Sequence, residues 1–328
     1  MFFSYSAKLL WLSAGSFYVL NLISVALARL YLGRALRIVS GLPACAAARF
    51  LFRLRVLPAL VAIAIVFMLV VPSYLCLEPN VAGERPGYFC IAFGLLGAWV
   101  LSTALERSLH AIVASVRYSR TSRGVGDDFH SPLAPFCITV VESPLPIVTL
   151  TGLLRPQVLI SRNVLESLSV DQMEAILSHE AAHHGSRDNL KRLLLLLTPD
   201  PIPFFNPLPM LDRHWAKFAE WAADDAAAGA DPHCRVVLAE SLVRVARLGI
   251  APPLSKLHVC LVSDVWDLPI RIDRLLRGEQ FHLAFVASRN VRPPHANVSL
   301  LITGLCVAVA LWFTALPAVH DILERFFR

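Results

Sequence analysis

The sequence predicts a mainly α-helical membrane protein with one α+β domain set between its third and fourth spans. Three observations predict it. The 328 residues are 56% hydrophobic and only 16% charged, too apolar for an ordinary soluble protein. The apolar residues come in blocks, about four of which approach the roughly 20 residues needed to cross a bilayer as a helix. Arginines gather at alternate ends of those blocks, and a mixed stretch of β-rich runs and amphipathic helices separates the third block from the last.

The first span runs from about 9 to 32. A secretory signal is the rival reading, because Ala26-Leu27-Ala28 resembles a small-residue cleavage site. A signal carries its charge in front, however. Here only Lys8 precedes the apolar run, while Arg29, Arg34, Arg37, Arg49, Arg53 and Arg55 follow it. This is the pattern of an uncleaved anchor with its N-terminus outside. The second span covers about 56–77 and the third about 89–105, and the loop between them carries Glu78, Glu84 and Arg85. Arg107, Arg117, Arg120 and Arg123 then mark the cytoplasmic side. Residues 1–105 thus form a membrane region and 106–298 a cytoplasmic domain. A fourth span, about 299–319, and a short tail fill 299–328. The net charge of +6 follows from these basic flanks, with membrane lipids as the partner. No zinc-finger spacing, aromatic-basic ladder or phosphate loop points to nucleic-acid binding. The seven cysteines show no CxxC spacing; Cys76 and Cys90 either bridge the outer loop or stand unpaired at helix ends.

Within the cytoplasmic domain, TSRGVGDDFHSPLAP (121–135) reads as a flexible linker. Three short runs follow, CITVV (137–141), PIVTL (146–150) and QVLIS (157–161), which predict a small, partly open sheet. Ser169 with Gln172 is a capping box that starts a helix at Val170, and Gly185 reads as its C-terminal cap. The five leucines 193–197 are too few to span a membrane and are buried or dip into its interface. Helices are expected from about 206 to 229, over 235–249 and over 271–279.

The chemistry centres on LSHEAAHH (177–184), the HExxH pattern. Residues four apart share a helix face, so His179 and His183 can address one metal ion. Glu180, about 100° round the helix, can reach a water beside the metal as a general base. A catalytic zinc usually takes three protein ligands, so a third is sought downstream. Glu220 is the best candidate. Asp224, one turn on, and Asp188, five after His183, are placed to brace ligand imidazoles. Each has a plainer reading: Glu220 and Asp224 as a solvated face, Asp188 as a helix N-cap. Arg213, on the Glu220 face, either stabilises an oxyanion or neutralises the carboxylates. The remaining histidines show no metal-like spacing. An extended substrate could add as a strand to the edge of the sheet at 137–161.

Taken together, GLLRPQVLIS (152–161), LSHEAAHHGSRDNL (177–190), FFNPL (204–208), EWAADD (220–225) and RIDRLL (271–276) resemble the BlaR/MecR family of integral-membrane zinc metallopeptidases, peptidase family M56. The resemblance implies a gluzincin-like α+β domain binding Zn2+. His179, His183 and Glu220 would be its ligands, Glu180 its catalytic base and Asp224 the acidic residue closing the ligand helix. It also implies a bacterial inner-membrane location and, as substrate, a cytoplasmic DNA-binding repressor of the BlaI/MecI kind. Two departures stand out. Ala223 sits where the family often has Cys, and only nine residues, 320–328, follow the last span where antibiotic-sensing relatives carry a penicillin-binding domain. Direct β-lactam sensing is therefore not expected of this chain. The membrane proteases of the CAAX-prenyl and heat-shock group share HExxH and Glu-x-x-Ala-Asp and are the near alternative; a vestigial signalling scaffold is the remote one.

Overall fold

The computed structural model describes residues 5–78, 87–123, 127–129, 136–153, 156–202, 208–249, 267–278 and 314–325, with 257, 261 and 312 besides. Most of the expected fourth span and of the Phe-Asn-Pro piece lies outside them.

Three helical segments, Tyr5–Val39, Ala44–Leu77 and Tyr88–Arg120, are long and apolar enough to cross a membrane. They match the first three expected spans. The first is α1 (Tyr5–Val39). The second begins as α2 (Ala44–Ile65), widens into a π-turn at Val66–Val70 and ends as α3 (Val71–Leu77). Pro72 explains the widening. It has no N–H to give the carbonyl of Met68, and its ring pushes that carbonyl aside. The Trp312 indole takes the freed Met68 carbonyl, and Ser73 Oγ donates to Leu316 O at 3.1 Å, so the C-terminal helical stretch docks at this bulge. The third, α4, runs unbroken from Tyr88 to Arg123, well past the expected end at 105. α1 and α4 pack through a notch at Gly97, where a Cβ would collide with the Ala14 backbone.

The sheet has strand order β1-β2-β4-β3, with β2 (Cys137–Val141) parallel to β4 (Gln157–Ser161) and β3 (Val148–Thr151) antiparallel to β4. β1 (Asp127–Phe129) pairs antiparallel with β2. It lies within the stretch read as a linker: three residues are too few to show an alternating pattern, and pairing with β2 defines the strand. Every residue of β4 is buried, as its central place requires. The sheet shares one apolar core with α6 (Val170–Ser186), α9 (Pro232–Leu248) and α10 (Leu268–Arg277), centred on Val158, Ile160, Ile176, Leu238, Leu242 and Leu275.

The five leucines belong to α7 (Asp188–Leu197), which packs on α4 and α2 instead of crossing anything. The turn that follows is clasped by the membrane helices. Arg55 on α2 donates to Asp200 Oδ1 at 3.0 Å and to Asp212 Oδ1 at 2.8 Å, and Arg107 on α4 donates to Asp200 Oδ2 at 2.9 Å. Tyr18 and Asn21 on α1 donate to the carbonyls of Pro201 and Pro199, both at 3.3 Å. Asp212 lies in the first turns of α8 (Leu208–Ala228), so the clasp grips the helices on both sides of the turn.

Candidate metal centre

Both halves of the capping box form at the start of α6: Ser169 Oγ accepts from Gln172 N at 3.3 Å, and Gln172 Oε1 accepts from Ser169 N at 3.2 Å. The helix does not stop at Gly185. It continues to Ser186, and Arg187 takes the left-handed conformation, φ 55° and ψ 42°. Arg187 is the one non-glycine with positive φ among the described residues. Such a conformation costs roughly 1–2 kcal/mol in an L-residue with a Cβ. Its consequence is local. The chain reverses within one residue and α7 starts at once, which carries Asp188 back onto His183. Gly185 was the expected cap because glycine adopts this conformation most easily; the position that reverses the chain is two residues later.

The two imidazoles face each other in the last turns of α6. His179 Nε2 and His183 Nε2 are 3.2 Å apart, and Glu220 on α8 stands 3.6 Å from each, through Oε2 and Oε1 respectively. His179 is fully buried and Glu220 nearly so. Their other ring nitrogens are engaged by carboxylates: His183 Nδ1 donates to Asp188 Oδ2 at 2.8 Å, and His179 Nδ1 lies 3.0 Å from Asp224 Oδ1. As neutral imidazoles with their protons on Nδ1, toward the carboxylates, both residues would present Nε2 lone pairs to one small space. Glu220 Oε1, also buried, has no hydrogen-bond partner among the described residues. Two lone pairs and an unsatisfied carboxylate oxygen repel one another unless a cation lies between them. Tetrahedral ligands at zinc–nitrogen distances of about 2.0–2.1 Å would be roughly 3.3 Å apart. The residues fit such an ion.

With no ion bound, the same anions draw protons onto the site in place of a metal cation. Burial opposes a charge on His183, but Glu220 and Asp188 outweigh it and hold its pKa up at about 10. Burial likewise opposes the Asp224 carboxylate, yet Arg271 and His179 bring it down to about 2. Glu220 is also held well below the usual carboxylate range against the cost of burial, first by His183. Glu180 goes the other way. Its burial raises the pKa more than the two histidines and the backbone of Leu150 lower it. One carboxylate is thus held as an anion and its neighbour made receptive to a proton.

Asp188, expected only as a possible brace, contacts His183 and also accepts from Lys191 Nζ at 2.8 Å. Arg213 is exposed on α8 and is not among these contacts. The arginine at the carboxylates is Arg271 on α10. It donates from Nε to Asp224 Oδ2 at 2.8 Å and from Nη2 to Asp224 Oδ1 at 2.7 Å, while Nη1 stands 3.2 Å from Glu220 Oε2. Helical spacing put Arg213 on the Glu220 face, but two turns away it points to solvent. Arg271 had a signal that went unused: it shares a helix face with Leu275, a charge on the buried side of an amphipathic helix.

The free edge of the sheet is already engaged. β3 is the outer strand nearest the site, and the Asn189 amide donates to Leu150 O at 3.0 Å and Gly152 O at 3.1 Å, while Leu261 N donates to Val148 O at 2.9 Å. A substrate strand pairing there would have to displace these bonds.

Residues 137–272 match the family model described as BlaR1 peptidase M56. That stretch, 136 of the 328 residues, is similar to the peptidase domain of that family. Together with three helices long and apolar enough to cross a membrane, the match supports a membrane metallopeptidase. The match begins at β2 and ends within α10, so it takes in α6, α8 and Arg271. No curated protein matches the chain.

Proposed function

We propose that the protein is a zinc endopeptidase of the bacterial inner membrane that hydrolyses peptide bonds of a cytoplasmic protein. The observation that carries this reading is the convergence of His179, His183 and Glu220 on one point, with both imidazoles braced from behind and Glu180 buried alongside. A bound zinc ion would supply Lewis-acid polarisation and lower the pKa of water. Asp188 and Asp224 hold each imidazole in the tautomer that leaves Nε2 free as a ligand. Arg271 keeps Asp224 and Glu220 ionised. Glu180 accepts the proton of the attacking water and returns it to the departing amine, a role its raised pKa suits.

The arginine distribution supports a cytoplasmic site. The pairing of Lys8 with Glu78 at 2.5 Å, and the approach of His320 to Glu78 at 3.9 Å, are consistent with that topology: they gather the N-terminal end of α1, the end of the second span and the C-terminal helix at one end of the bundle. The family resemblance supports a DNA-binding repressor as the substrate class. Two measurements test the reading. Zinc stoichiometry should be near one for the wild type and Glu180→Gln and close to zero for His179→Ala. Terminal-fragment proteomics of expressing cells should show new protein termini with the wild type, reduced about 10²–10⁴-fold in rate by Glu180→Gln. Equal cleavage by Glu180→Gln overturns the reading.

A further inference from the structure

We propose that Arg192 is a catalytic residue, the cationic donor that holds the oxygen of the scissile carbonyl as it becomes negative. The inference rests on the peptidase reading above and concerns its transition state. A small cavity opens beside the metal-ligand cluster, lined by Leu150, Glu180, His183, Asp188, Asn189 and Arg192. Arg192 is the one arginine or lysine among them. It follows Asp188 by four residues on α7, so the helix that braces His183 also presents this guanidinium, one turn further on, at the same cavity.

Its surroundings are unusual for a buried arginine. The side chain is only 12% exposed, yet it makes no hydrogen bond among the described residues. Its closest anion is Glu220 Oε1 at 3.9 Å, beyond hydrogen-bonding reach. Glu220 meanwhile has Arg271 Nη1 at 3.2 Å on its other oxygen. Neutralising Glu220 therefore does not account for Arg192. What fixes the guanidinium is a flat contact: it lies over the Trp215 ring, 5.0 Å from the centroid. A largely desolvated guanidinium that meets no acceptor among the described residues keeps its donors available to a group arriving in the cavity. Catalysis by electrostatic stabilisation needs this kind of donor, held in place before the charge develops and partnered only when it does.

Two arginines stand near Glu220, Arg192 and Arg271. Arg271 cannot serve, because both edges of its guanidinium are engaged by Asp224 and by Leu261 O at 2.9 Å.

The test uses full-length, zinc-loaded protein in detergent, comparing the wild type with Arg192→Met, which keeps the stem, and Arg192→Lys, which keeps the charge. Three quantities are read: zinc content, kcat and KM on a quenched-fluorescent peptide that the wild type cleaves, and inhibition by a peptide phosphonamidate, which mimics the tetrahedral anion. Arg192→Met should keep its zinc and its KM within about threefold, lose 10²–10³-fold in kcat, and bind the phosphonamidate weaker by a similar factor. Arg192→Lys should recover part of both losses. Two results overturn the proposal. Unchanged kcat and inhibition with zinc retained removes any role in catalysis, and loss of zinc from Arg192→Met makes the arginine a positioning residue for Glu220. Failure of the peptidase reading looks different: wild type and Glu180→Gln would be equally inactive on every peptide, while phosphonamidate binding still reports on Arg192.

Discussion

The molecule contains two clusters of charges gathered around buried side chains, and they are built on opposite terms. In the clasp between the membrane helices and the domain, Arg55 and Arg107 meet Asp200 and Asp212 at 2.8–3.0 Å, cation to anion. In the metal centre the inner acceptors point at one another, His179 Nε2 to His183 Nε2 at 3.2 Å, and the satisfied contacts lie on the outside. The first arrangement sets each anion against a cation, with only Arg107 Nε left unpartnered among the described residues, and serves to hold elements together. The second is complete only around a cation. Burial and charge alone do not distinguish a functional cluster from a structural one; unspent hydrogen-bonding capacity aimed at a common point does.

The strongest way to break this comparison is to remove one partner from the clasp. Arg55→Met takes the cation from Asp212 and leaves Asp200 with Arg107 alone, and should lower stability by about 2–3 kcal/mol, read as a fall in the thermal midpoint in detergent. Zinc affinity of the folded fraction should stay within twofold. A large loss of zinc affinity would mean that the clasp belongs to the site and not only to its support.

Asp188→Asn makes the reciprocal change, at the metal centre. It removes the anion behind His183 while nearly preserving shape, so zinc affinity should fall roughly 10–100-fold with little change in the thermal midpoint of the metal-free protein. Competition with a chromophoric chelator measures it, and an unchanged affinity would show that Asp188 serves Lys191 and the chain reversal instead.

Acid should act through Asp224. Its folded pKa of about 2 lies below the ordinary 3.8. The stabilisation is therefore fully present above 3.8 and is lost as pH falls through about 2. It amounts to about 2 kcal/mol. Denaturation midpoints between pH 2 and 5 should rise with pH more steeply for the wild type than for Asp224→Asn, and parallel curves would remove Asp224 from the account. The smallest effect is expected at Arg187. A β-branched residue resists positive φ, so Arg187→Val should cost roughly 1–2 kcal/mol and weaken zinc binding through Asp188. Retained affinity would show that the left-handed turn does not position that carboxylate.

Local chemistry was readable from the sequence. The capping box, the helical register of His179 and His183 and three long apolar spans each depend on residues a few positions apart, so spacing alone fixed them. The first three spans, α6, α8, α9 and α10 follow the same logic, with the start of α9 displaced by a few residues to its Asp231 cap and α4 running 18 residues past the expected end of the third span. What spacing could not decide is which distant groups meet. Glu220 and Arg213 both lay on the predicted helix, and only the packing of α8 on α6 turns one inward and leaves the other in solvent. Arg55 and Arg107 read as basic flanks of membrane spans; the structure spends both on Asp200, more than 90 residues further along the chain from either. Arg271 and Arg192 gain their meaning in the same way, because the field at a buried guanidinium is set by every element that closes around it. The sequence by itself determined which residues could bind a metal and where they sit along a helix. The tertiary structure decided which carboxylates brace them, which arginine is satisfied and which is left with its hydrogen bonds unmade, because burial raises the cost of every unpaired charge and only the assembled fold determines what is buried.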